Sequence, residues 1–280
     1  MRTKMTSKQI ALRLKNLNKI NPYYKIYSNA IDAINREFFT TQLARQGLYG
    51  IREACKIKDA SVKFSIQIPN TEGNTIRQER RKSHIVEILK KTIRHDLYAA
   101  SINNLVSITE QYLCDLLESV LKKHPQKLSL SITDEKTDKK TETSIPMSQV
   151  LSASSISEII NSLIVKRISS IFYASPDQYF SYFAKIVDIS IDQGLIDQYI
   201  EIKATRDLLV HNKGKVNNIY IGKCKKNARV TDTKQNIPLS EEYYIKSASA
   251  MKKIIRVVHE KASRKQLKLT KRKDIFLSSN

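Results

Sequence analysis

The segment Arg206-Asp207-Leu208-Leu209-Val210-His211 sets a guanidinium, a carboxylate and an imidazole around a short apolar run. Histidine titrates near neutrality, so His211 can take a proton from a ribose 2′-hydroxyl or return one to a leaving oxygen. Arginine stays charged and forks onto phosphate oxygens, so Arg206 can offset the charge of a pentacoordinate transition state. When the 2′-hydroxyl of the substrate is the nucleophile, this chemistry calls for no metal. On a helix, five residues turn about 500°, which leaves Arg206 and His211 about 140° apart. Asp207 and His211, four apart, share a face, and Asp207 is expected to orient the imidazole. Two copies of the helix placed against each other would bring the Arg and the His into one cleft. The competing interpretation makes Arg206 a surface ion-pair partner and His211 a cation favoured by the helix dipole at its last turn.

A helix from about residue 191 or 194 to His211 must carry this segment, and Asn212-Lys213-Gly214 ends it with Gly214 in the left-handed cap. Upstream, apolar spacing predicts a helix over about 27–56, and strict alternation over 62–68 predicts a strand stopped by Pro69 and a turn at 70–74. Arg77 to Lys82 form a short basic cluster, and a helix or two abutting helices follow from about Ser83 to Lys123, ended by His124-Pro125. Residues 127–146 suggest a β-hairpin insertion or a polar loop. Ser155 or Ser157 caps a helix through Arg167, and Ser175-Pro176 starts another. Residues 216–222 suggest a short extended piece and 223–234 a basic loop. Ser240-Glu241-Glu242 opens a final helix to about Lys265, before a basic and polar tail over 266–280. The resulting expectation is a mainly α chain with a small β insertion or hairpin. A basic, mostly helical segment over 1–80, with Lys8–Leu17 as its first helical stretch, precedes a helical unit over 81–265.

Composition adds a partner class. The 280 residues hold 49 Lys and Arg against 27 Asp and Glu, a formal net charge of +22. A field of that sign attracts polyanions, nucleic acid first and an anionic membrane surface second. Lys213, Lys215, Lys223, Lys225, Lys226 and Arg229 follow the motif directly and suit phosphate contacts; a solvated loop is the alternative. Cys55, Cys114 and Cys224 are odd in number and far apart, which argues against a disulfide framework and a zinc ribbon and for a cytoplasmic chain. His84, His95, His124 and His259 share no metal-ligand spacing and are expected at the surface or at helix ends. The pairs Tyr23-Tyr24 and Tyr243-Tyr244 either pack at helix junctions or stack on bases. No nucleotide-triphosphate loop is present, no cofactor is expected, and no run is long and apolar enough to span a bilayer.

The stretch Ile202 to Gly214 resembles the signature of HEPN domains: Arg, a polar residue, three mostly apolar residues and His, followed by Asn and a Gly. Leu105 to Leu117, an apolar run broken by Glu110 and then Tyr112-Leu113, is similar to the early helix of the RiboL-PSP type, and Pro238 to Tyr244 also fits. The likeness covers roughly residues 84–262. It implies a dimeric helical bundle that is an endoribonuclease, leaving 2′,3′-cyclic phosphate and 5′-hydroxyl ends. The implied setting is toxin–antitoxin or phage defence, with an antitoxin or regulatory protein as a further partner. Arg206, His211 and Asp207 would form the catalytic set of a composite homodimer site, with Asn212 and Glu110 as auxiliaries. Some members of the family only bind RNA or partners, so a non-catalytic RNA- or DNA-binding or dimerisation module is the alternative.

Overall fold

In the computed structural model, the described residues are 21, 23–57, 62–130, 146–172 and 175–277, with side chains of the last helix described as far as Lys265. The order is α1 (Tyr24–Ile57), β1 (Lys63–Pro69), β2 (Thr75–Arg81), α2 (Lys82–Lys91), a π turn (Thr92–Asp96) and α3 (Leu97–Lys123). After a 3-10 turn (Pro125–Ser129) come α4 (Met147–Ser152), α5 (Ile156–Phe172), α6 (Pro176–Val187) and α7 (Gln193–His211). The chain then forms α8 (Asn218–Cys224), a 3-10 turn (Lys225–Asn227) and α9 (Glu241–Leu277). The fold is mainly α with one small antiparallel hairpin, in which Lys63 pairs with Arg81 and Pro69 with Thr75.

Helix α3 is the axis of the packing, with α1, α5, α6, α7 and α9 laid against it. Its buried positions, among them Tyr98, Ile102, Leu105, Val106, Tyr112, Leu113, Leu116, Leu117, Val120 and Leu121, cover more than one face, as a helix surrounded by others requires. Ala30 and Ile34 of α1 belong to the same core as Ile254, Ile255 and Val258 of α9, so the packing runs across the expected boundary at residue 80. The hairpin sits over a smaller cluster of Cys55, Ile85, Leu89 and Ile93, with Phe64 packed against it.

Several local expectations hold. The 62–68 alternation is β1, His124-Pro125 ends α3, and Ser175 with Gln178 makes a reciprocal capping box at α6. Others change. The basic cluster 77–82 is mostly β2, the partner that the alternating strand needed. Because β2 runs directly into α2, Arg81 stands at the cap with no side-chain hydrogen bond, and Ser83 does not cap. Residues 218–224 are helical, not extended. Asn217 accepts a hydrogen bond from the Tyr220 amide at 2.9 Å, and Tyr220 and Cys224, four apart, are buried on one face of the helix in a cluster with Val216, which overrides local β preference. Helix α9 runs to Leu277, through most of the expected tail. Residues 127–129 belong to a 3-10 turn, while the rest of the expected insertion, 131–145, and the stretch Lys8–Leu17 lie outside the described residues.

Candidate functional site

Helix α7 starts at Asp192, whose carboxylate accepts the Leu195 amide at 3.2 Å. It ends as its sequence predicts. The Gly214 amide reaches the Leu208 carbonyl at 2.9 Å with Gly214 at φ 78°, and Lys213 before it is also left-handed at φ 52°. The Asn212 amide group donates to the Lys215 carbonyl at 2.6 Å, and the Ile237 amide donates to the Gly214 carbonyl at 2.8 Å. This clamp fixes the last turn of α7, where His211 stands exposed. Asn212, expected as an auxiliary residue, therefore serves the cap.

His211 lines a concave pocket of about 300 Å³ between the end of α7 and α8. Asp207, Asn212, Asn217, Tyr220 and Lys223 share the lining. Asp207 is beside His211 in this pocket but does not orient it. Its carboxylate accepts Lys223 at 3.1 Å and Arg206 Nη1 at 3.2 Å, and it makes no hydrogen bond to His211 among the described residues. Two cations outcompete a single imidazole at an exposed helix end.

Arg206 turns the other way, toward α3. Its Nη2 lies 3.3 Å from Glu110 Oε2, while its Nε is a buried donor with no partner among the described residues. Glu110 also accepts Lys203 and, at 3.4 Å, the Tyr199 hydroxyl. Burial and then the Glu110 charge push the Tyr199 phenol well above its ordinary value, so it stays a neutral donor. The divergence of Arg206 and His211 on the helical wheel is thus real: one faces α3, the other α8. Glu110, an auxiliary in the sequence reading, holds the Arg206 guanidinium together with Asp207. Lys203, which no motif marks, completes that cluster.

Arg229 is not a free phosphate contact. Its Nε donates to Glu201 at 2.8 Å, Nη1 to the Pro238 carbonyl at 2.8 Å and Nη2 to Thr205 at 3.1 Å, and its guanidinium lies 3.5 Å from the Tyr243 ring centroid. Glu201 also accepts the hydroxyls of Thr205 at 2.8 Å, Tyr220 at 3.0 Å and Tyr243 at 2.9 Å. This buried carboxylate, fully hydrogen-bonded, ties α7, α8, α9 and the 229 segment together. Burial and the Glu201 charge push the Tyr220 and Tyr243 phenols up; burial would lower Arg229, but Tyr243 and Glu201 hold it raised. Sequence spacing gives no sign of a hub whose members come from four segments, beyond a lone acid within the apolar run 199–202.

Lys213 and Lys215 are exposed beside the end of α7, and Lys223 is held by Asp207. Lys225 and Lys226 are exposed on the 3-10 turn that meets the first turns of α7, where Asn227 bonds Asp197, and so lie away from His211. Tyr243-Tyr244 pack at a helix junction, Tyr244 being fully buried. His259, expected at the surface, is buried and stacks on Tyr27 at 4.2 Å. Among the described residues, no group of His, Cys, Asp and Glu is arranged to hold a metal, and no helix is long and apolar enough to cross a membrane. Comparison of the chain with family models, curated proteins and solved structures finds no match.

Proposed function

We propose that this chain is an endoribonuclease whose His211 moves the proton of a ribose 2′-hydroxyl while Arg206 holds the scissile phosphate. The attack of that hydroxyl on the adjacent phosphorus breaks the bond to the 5′-oxygen, leaving 2′,3′-cyclic phosphate and 5′-hydroxyl ends. The protons pass through imidazole, and no metal takes part. The observation that carries the proposal is the place of His211: exposed on a capped, rigid helix end, in a pocket it shares with Lys223, Asn212 and Asn217. Such a pocket sets a proton carrier beside the Lys223 ammonium, which Asp207 holds in place.

Arg206 and His211 diverge within one chain, so the proposal extends to a homodimer in which the Arg of one copy meets the His of the other. Val210 and Ile219 expose apolar side chains beside His211, which supports a self-contact there. Arg206 must exchange a carboxylate for phosphate. Glu110 keeps Lys203 and the Tyr199 hydroxyl as partners when it does. The role as a toxin or phage-defence effector belongs to the same proposal and rests on the HEPN resemblance of residues 202–214.

One observation favours a second reading, a non-catalytic RNA-binding or dimerisation module: Arg206 is already paired with Glu110 and Asp207. Purified protein incubated with RNA in EDTA separates the two. The ribonuclease reading expects cleavage that persists in EDTA and is lost in folded Arg206→Ala and His211→Ala proteins. Salt-sensitive binding without cleavage would favour the module.

A further inference from the structure

A second, larger cavity of about 750 Å³ lies between α7 and α9, closed on one side by the turn at Lys225–Asn227. It shares no lining residue with the His211 pocket. On α9, Lys246 and Lys253 are seven residues apart, two helical turns, which puts them on one face about 10 Å apart along the axis. Ser249 and Ala250 lie between them, so small side chains leave a saddle flanked by two ammonium groups. Lys226 enters from the opposite side on the turn, whose Lys225 takes φ 51°. Lys226 and Lys253 have no ion-pair partner among the described residues, while Lys246 meets Glu242 at 2.7 Å.

The remaining wall is built for something other than bare charge. Asp197, whose carboxylate accepts Gln193 at 2.8 Å and Asn227 at 3.2 Å, lines the cavity with Asn227 and Gln198, so amide and carboxylate groups face it. Arg229 and Tyr243, stacked on each other, also line it and are held by the Glu201 hub. A planar guanidinium backed by an aromatic ring is a surface on which a nucleobase stacks, and amides and carboxylates read base edges. The volume falls in the range of pockets that take small organic ligands. From these features together, the geometry points to a binding pocket for one nucleoside phosphate. The base lies against the Arg229–Tyr243 wall, and the phosphate sits on the Ser249–Ala250 saddle, contacted by Lys253 of α9 and by Lys226 from the facing turn. The nucleotide has two possible sources, free in solution or as one unit of an RNA strand, and the chemistry recognised is the same. The pocket does not depend on the role given to His211.

Equilibrium dialysis of full-length His211→Ala protein tests it, since strand cleavage at that site is then removed from the readout. The probes are 5′-AMP, inorganic phosphate and a short oligoadenylate. One-to-one binding of 5′-AMP, weakened at least tenfold by joint Lys226→Ala and Lys253→Ala substitution and by Ser249→Phe, is the expected result for a free nucleotide. Binding of oligoadenylate alone, weakened tenfold by the same changes, assigns the pocket to one nucleotide of a strand and equally supports the proposal. These positions are exposed, and unchanged thermal melting verifies that the variants fold. The proposal is overturned if neither adenine probe binds, if the substitutions leave binding unchanged, or if inorganic phosphate binds as tightly as 5′-AMP.

Discussion

At the residue scale, the side chains nearest the motif divide into those whose charge the fold already pairs and those left exposed. Arg229 and Glu201 are of the first kind. Arg229→Met leaves a buried carboxylate with only hydroxyl donors, and a loss of about 2–4 kcal/mol in chemical denaturation is expected. The same substitution should leave the salt dependence of RNA binding unchanged, because Arg229 is already neutralised. Lys213→Ala with Lys215→Ala should instead leave stability within about 0.5 kcal/mol and flatten the plot of log K against log salt, by about 0.7 for each single-strand phosphate that is no longer neutralised. Filter binding over a salt series checks both. Glu110 acts through Arg206, so Glu110→Gln should lower cleavage less than Arg206→Ala and show its effect in KM more than in kcat. A fall in kcat equal to that of Arg206→Ala would give Glu110 a direct part. The motif itself was legible in the sequence because its five-residue spacing is local. Its partners were not: Asp207 looked free to orient His211 until α8 brought Lys223 to it, and Arg229 looked like one more basic loop residue until Glu201 and Tyr243 closed around it.

At the element scale, the end of α7 carries the proposed site, and its geometry rests on Gly214. Its positive φ costs a side chain about 1 kcal/mol, while an added Cβ would meet Leu209 only at an ordinary 3.6 Å. Gly214→Ala should therefore lower the melting temperature through backbone conformation, and Gly214→Asn should lower it less. The seam between α1 and α9 has a pH signature. Burial holds the His259 imidazole below its ordinary value, with Glu260 pulling weakly upward. A depressed histidine costs nothing above its unfolded value near 6.5, and stability is lost as pH falls through that value toward the folded one. Melting temperature should fall between pH 7 and pH 5, and the fall should be smaller in His259→Phe, which keeps the stack on Tyr27 but cannot titrate. Helix boundaries set by caps and prolines, as at Ser175-Pro176 and His124-Pro125, were readable from sequence. Helix α8 was not, since Ile219, Tyr220 and Ile221 favour a strand locally and only burial of Tyr220 and Cys224 beside Ala204 and Leu208 makes the segment helical. The second hairpin strand was hidden for a related reason: a run of Arg, Gln and Glu has no apolar alternation when both faces are largely exposed.

At the scale of the whole molecule, a formal charge of +22 attracts polyanions at long range, and the proposed catalysis requires two copies to meet. Mixing Arg206→Ala with His211→Ala protein should restore part of the activity, because one interface in a mixed dimer holds an intact Arg and an intact His. No restoration would place the site within one chain. Ile219→Lys should weaken self-association in analytical ultracentrifugation and lower activity in parallel, and activity retained in a monomer would remove the composite site. The sequence suggested a second copy through the angle between two side chains, and the fold keeps that angle, with Arg206 toward α3 and His211 toward α8. The central claim is the chemistry at His211, and the end groups of cleaved RNA test it most directly. Products formed in EDTA are predicted to carry 2′,3′-cyclic phosphate and 5′-hydroxyl ends and to vanish with His211→Ala. Products with 3′-hydroxyl and 5′-phosphate ends, or cleavage unchanged in that variant, would contradict it.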